Sequence, residues 1–160
     1  MAKRIIRQEG DEILRKKSKP VENFDRKLWE LLDDMAETMA QEDGAGLAAV
    51  QVGVLRRCFV VDVGDGVVEF VNPQVVETSG TQTGMEGCLS FPAQWGMVTR
   101  PNHVKMRAQN RHGEWFEIEG DELFARAMLH ENDHLDGIIF KDGQCRMLTD
   151  QEVEDIVSGK

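Results

Sequence analysis

The apolar positions change their spacing twice along the chain. Over residues 24–41, Leu28, Leu31, Leu32, Met35 and Met39 recur at three- and four-residue steps; Asp25 stands where an N-cap is needed and Gly44 lies just beyond the end. This predicts an amphipathic helix, with its methionines packed in a core. Between residues 50 and 118 the texture becomes that of strands, with CFVVDV, VVEFVNPQVV, HVKMRAQ and EWFEIE bounded by Gly, Asn and Pro. RHG, residues 111–113, separates the last two runs and suits a hairpin turn. The helical period then returns. Asp121 offers a second N-cap, and Leu123, Phe124, Ala127, Met128, Glu131 and Leu135 keep helical steps until Gly137. A short last helix is expected over residues 150–157. Helix, strands, helix is the order of an α+β fold. With no internal repeat and no linker-like composition, one domain over residues 1–160 is expected.

Composition narrows the class without naming a function. Apolar residues at 41% and charged residues at 30% of 160 are the balance of a soluble globular protein. The start, MAKRIIRQEGDEIL, places only Ile5 and Ile6 before more charge, so no export signal and no membrane segment are expected. Three cysteines, Cys58, Cys88 and Cys145, argue against a disulfide framework and for the reducing cytoplasm. A net charge of −10 and an acidic tail, DQEVEDIVSGK, disfavour direct binding to nucleic acid or anionic membranes.

Three stretches could carry chemistry. In HENDH, residues 130–134, His130 and His134 are one helical turn apart and leave the same face, while Glu131 lies beside any ion they share, placed to act as a general base on its water. The plain alternative is a polar helix face that happens to hold two histidines. A third ligand decides between them, and two routes to one exist. Glu152 or Glu154 downstream would make a thermolysin-like zinc peptidase, although only 26 residues follow His134. The other route is Cys88 in EGCLS, residues 86–90, since thiolate and imidazole both suit Zn2+ or Fe2+ and leave a fourth position open. Cys58 and Cys145 read as small core residues, and a purely structural ion is the non-catalytic reading. The third stretch is GAGLAAVQVG, residues 44–53. It lacks the residues of a phosphate loop, but its glycines allow a backbone to approach a ligand and Gln51 carries an amide donor.

Taken in order, GAGLAAVQ, EGCLS and HENDH resemble the three motifs of the peptide deformylases, and the likeness covers the whole chain. Leu129 departs from the glutamine usual before the first histidine. The resemblance implies short antiparallel strands packed around a central metal-binding helix, with an N-terminal helix. It implies that Cys88, His130 and His134 bind one divalent metal, Fe2+ in the cell and Zn2+, Ni2+ or Co2+ as alternatives in purified protein. Glu131 would be the general acid and base, with Gln51 and the backbone N–H of Leu89 stabilising the oxyanion. The substrate would be the N-formylmethionyl end of a nascent polypeptide, which implies transient proximity to the ribosome. Backbone groups of Ala45, Gly46 and Gly87 would pair with the extended peptide, and Leu123, Ala127 and the stem of Arg126 would line the methionine pocket. Arg126 is read chiefly as a structural ion pair. Trp95 and Arg100 are weaker candidates for flanking the peptide.

Overall fold

The computed structural model describes residues 2–159. Helix α1 spans Arg26–Gln41 and starts as expected, with the Asp25 carboxylate accepting from Leu28 N at 3.2 Å. Its buried stripe holds Leu28, Leu31, Leu32, Met35 and Met39. The strands follow: β1 Gly46–Ala48, β2 Cys58–Val61, β3 Val68–Ser79, β4 Gln82–Cys88, β5 Phe91–Arg100, β6 His103–Gln109 and β7 Trp115–Asp121. Helix α2 is Glu122–His134, β8 is Cys145–Met147 and α3 is Asp150–Ser158.

Two antiparallel sheets form. The larger has the order β1-β2-β3-β6-β7 and the smaller the order β4-β5-β8. Alternation along β2 explains the continuous apolar run CFVV. Phe59 and Val61 join the core that includes Met128 and Leu135 near α2, whereas Cys58 and Val60 point to the opposite face against α1. A strand covered on both faces has no polar side to show. Residue β3 Pro73 falls in a register shift between Val71 and Gln74, so its missing donor interrupts no ladder bond there.

One face of α2 packs on the large sheet, and side chains from another face are tied to β4 and β5, so this helix lies between the two sheets. Its N-terminus differs from expectation. Asp121 occupies the cap position without capping, because the β6–β7 register sets His103 directly opposite and the carboxylate bonds His103 Nδ1 at 2.7 Å. Gly137, at φ +73°, ends the segment where an added Cβ would run into the Arg15 backbone.

Candidate metal centre

Helical spacing brings the His130 and His134 rings together, with centroids 5.1 Å apart. Cys88 closes the group from the last position of β4, and the ligating atoms of the three residues lie within 4.8 Å of one another. Cys88 Sγ is 3.3 Å from His134 Nε2. His134 is fully buried, and burial holds its pKa well below the ordinary value, which leaves a neutral ring with a lone pair to give.

His130 is oriented from behind. Its Nδ1 lies 2.8 Å from Glu86 Oε1, so Nε2 is the nitrogen left to face Cys88 and His134. Glu86 is itself held by Arg100, with Nε at 2.6 Å and Nη2 at 3.0 Å, and by Arg126 Nη1, while Arg100 Nη1 continues to Asp133 at 3.0 Å. Burial alone would raise the Glu86 pKa, yet the bonds from His130 and Arg100 outweigh it and hold the carboxylate at about 2. Burial pulls the His130 pKa down, and Glu131, Cys88 and Glu86 together overturn that and push it well up. Anionic groups therefore crowd this point and favour a positive charge on it.

The residues present fit a divalent cation. One thiol and two imidazoles converge, the pocket disfavours further negative charge, and Glu131 Oε1 is buried with no hydrogen-bond partner among the described residues. Burial pushes the Glu131 pKa up to about 7, poised to exchange a proton near neutrality. Its position depends on Gly46, since a Cβ there would stand 2.5 Å from Glu131 Oε2. Gln51, also buried, accepts from Ala48 N at 2.9 Å through Oε1, which turns Nε2 toward Ser90 Oγ at 3.0 Å and Cys88 Sγ at 3.4 Å.

These groups border one cleft of about 520 Å3. Ala45, Gly46, Gly87 and Leu89 lie along it, Leu123 and Ala127 line it from α2, and only His134 of the candidate ligands sits behind the wall. Leu89 belongs to the short turn between β4 and β5. Trp95 also faces the cleft, packed over Gly87, where a Cβ would meet its ring at 2.5 Å. Arg100 is not among the residues lining the cleft: it is largely covered, and its guanidinium is engaged with Glu86 and Asp133, where it neutralises the inner carboxylate of Glu86. Arg126 forms the expected ion pair, also with Glu86. Leu129 packs into the core on the large sheet, where a glutamine would have to find buried partners.

The peptidase alternative finds no support in the geometry. Glu152 lies on α3, bonded to Arg146 at 2.7 Å and to Thr149 N at 3.1 Å, and the ligand group contains Cys88 instead. Sequence reading missed the part played by Glu86. The available signal was its place in EGCLS, two residues from a candidate ligand, but the arginines that neutralise it come from β5 and α2.

Comparison with known proteins agrees with this geometry. The family model for Polypeptide deformylase matches residues 3–147. Peptide deformylases of Caldicellulosiruptor bescii and Acetivibrio thermocellus are 53% and 54% identical over 154 residues, 96% of this chain and 93% and 91% of theirs. The crystal structure of peptide deformylase from Thermotoga maritima superposes with a TM-score of 0.87 at 43% identity, covering 89% of this chain and 98% of that one. A peptide deformylase from Synechococcus elongatus, solved in complex with actinonin, gives 0.84 at 33% identity over 97% of this chain and 84% of that one. A match of this extent, from the first strands' approach to β8, means that the chain belongs to the polypeptide deformylase family, enzymes that remove the formyl group from N-formylmethionyl polypeptides.

Proposed function

We propose that Cys88, His130 and His134 hold the family's divalent metal and that Glu131, Gln51 and Leu89 carry the proton and charge transfers of deformylation. One observation supports this above the others: the three ligating atoms lie within 4.8 Å of one another, and Cys88 and His130 border the same cleft as Glu131, whose Oε1 has no hydrogen-bond partner among the described residues. A bound divalent ion supplies Lewis acidity, lowering the pKa of a water and polarising the formyl carbonyl. Glu131 accepts the proton of the attacking water and returns it to the amide nitrogen as the C–N bond breaks, giving formate and a free amino terminus. Gln51 Nε2 and Leu89 N–H donate to the oxygen on which charge develops, each donor contributing roughly 3 kcal/mol by analogy with other oxyanion sites.

The rest of the cleft binds the peptide. Ala45, Gly46 and Gly87 offer backbone groups to an extended chain, so later side chains contribute little to recognition. Leu123, Ala127 and the Arg126 stem border the methionine side chain. Residues 1–160 act as one domain. The metal in the cell is Fe2+, for which a Cys-His-His set with an open position is suited, with Zn2+, Ni2+ or Co2+ able to replace it. The free state of all three cysteines supports a reducing cytoplasmic setting, and formylated nascent chains bring the enzyme into passing proximity with ribosomes. Among the described residues no helix is long and apolar enough to cross a membrane.

The test is metal content and formate release measured on anaerobically prepared protein. Cys88→Ala should lose both, and Glu154→Ala neither. Full turnover by Cys88→Ala would sink the assignment.

A further inference from the structure

Arg126 keeps a donor that its ion pair does not use. Its Nη1 serves Glu86, Val98 O at 3.1 Å and Gly84 O at 3.4 Å, and its Nη2 donates to Gln82 Oε1 at 3.1 Å. Among the described residues the Nε–H has no acceptor, although a guanidinium carries five N–H groups in a fixed fork. The side chain is 8% exposed and borders the cleft beside Met85, Gly87, Leu123 and Ala127. Those four neighbours offer no hydrogen-bonding side chain beyond a thioether, so among these described residues Arg126 carries the one strong side-chain donor.

Its position matches the reach of a methionine. Arg126 precedes His130 by one helical turn on the same face, which separates their Cβ atoms by roughly 6 Å. A methionine sulfur stands three bonds from its Cα and extends over a comparable length. Glu86 and Asp133 together balance the charges of Arg126 and Arg100, so what this cluster offers the cleft is an N–H without a net charge. An uncharged acceptor suits it, and a carboxylate side chain would bring an unmatched negative charge into the pocket. A thioether accepts weakly, whereas a sulfoxide oxygen accepts strongly.

We propose that Arg126 Nε–H admits oxidised methionine to the side-chain pocket, making N-formyl-methionine-sulfoxide peptides a second substrate class of this enzyme. The inference rests on the placement of the methionine pocket given under Proposed function. The sulfoxide is a spectator: water adds to the formyl carbon, the amide C–N bond breaks, and formate and the free amine leave with sulfur still oxidised. In a pocket without a donor, the buried S–O group would cost roughly tenfold to a hundredfold in kcat/KM.

The experiment compares formate release from three otherwise identical peptides bearing N-formyl-methionine, N-formyl-methionine sulfoxide or N-formyl-norleucine. Wild-type enzyme should process the sulfoxide peptide within roughly tenfold of the methionine peptide. In Arg126→Met, the sulfoxide-to-norleucine ratio of kcat/KM should fall at least roughly tenfold, the change residing in KM. Damage to Glu86 acts on both peptides alike and cancels in that ratio. An unchanged ratio overturns the proposal. Should the variant fail to fold, the wild type decides through the two sulfoxide epimers, because one fixed donor must favour one handedness by several-fold. Equal rates for the epimers overturn it too. If the methionine and norleucine peptides are both inert, the functional reading has failed instead, and that outcome is distinguishable from the others.

Discussion

Helices α2 and α3 each carry glutamates, yet they treat those glutamates in opposite ways. On α2, Glu131 is buried without a partner for Oε1, and its pKa is pushed up to about 7 by burial. On α3, Glu152 is closed into a capping box with Thr149 and bonded to Arg146, and its pKa is lowered, first by that arginine. No residue of α3 is buried, whereas α2 buries eight, among them His130, Glu131 and His134. The contrast teaches where reactivity arises. A carboxylate that water and a guanidinium already satisfy has nothing left to exchange; one held dry beside converging ligands has a proton affinity near neutrality and an oxygen free to use it.

Substitutions on the two helices should therefore separate by orders of magnitude. Glu131→Gln should lower kcat for a formyl-methionyl peptide by roughly 100-fold to 10,000-fold while metal content stays at the wild-type level. Glu152→Gln should leave both within about twofold. Comparable activity in the two variants would erase the distinction. Next in size is Glu86→Gln, which removes the charge that fixes His130 and faces Arg100 and Arg126; metal affinity should drop roughly tenfold to a hundredfold, read by competition with a chelator. Gly46→Ala tests position alone. The added methyl would press on Glu131 Oε2, so kcat should fall by up to about 100-fold, with folding stability lowered by roughly 1–3 kcal/mol in denaturant titration.

Much of this arrangement was legible before the structure. Helix α1 and its Asp25 cap follow from spacing and a local hydrogen bond, and both depend on residues within a few positions of one another. Cys88, His130 and His134 were legible as types at separated motifs, and the fold brings their ligating atoms together. Strands β4 and β5 were not singled out, because Gly84, Gly87, Pro92 and Gly96 break the β-branched texture that marks a strand. Their glycines answer to tertiary neighbours: Gly87 makes room for the Trp95 ring and Gly96 for Cys145. The Asp121 cap failed for a similar reason. Local propensity favoured it, and a cross-strand histidine competed for the same carboxylate. Side-chain pairings made across two strands, such as Glu86 of β4 with Arg100 of β5, leave no trace in the spacing of either residue.

At the exposed ends of the same two helices the effects should be small. Thr149→Ala removes the α3 cap and should cost roughly 1 kcal/mol of local helix stability, visible as faster amide exchange there with turnover unchanged. The smallest effect belongs to His103, the first residue of β6, opposite the start of α2, where Asp121 and then Glu119 raise the imidazole pKa above its usual 6.5. The sign follows from the direction of that shift. A raised folded-state pKa means that the protonated ring is favoured in the folded protein, so the pair's stabilisation is full below about pH 6.5 and is lost as pH rises through the folded value. Asp121→Asn should therefore lower the His103 pKa in an NMR titration, and the Tm gap between wild type and variant should narrow from about pH 5.5 to about pH 8.5. A gap that widened with pH would mean that Asp121 acts on the N-terminus of α2 after all, through the helix dipole that its carboxylate was first expected to serve.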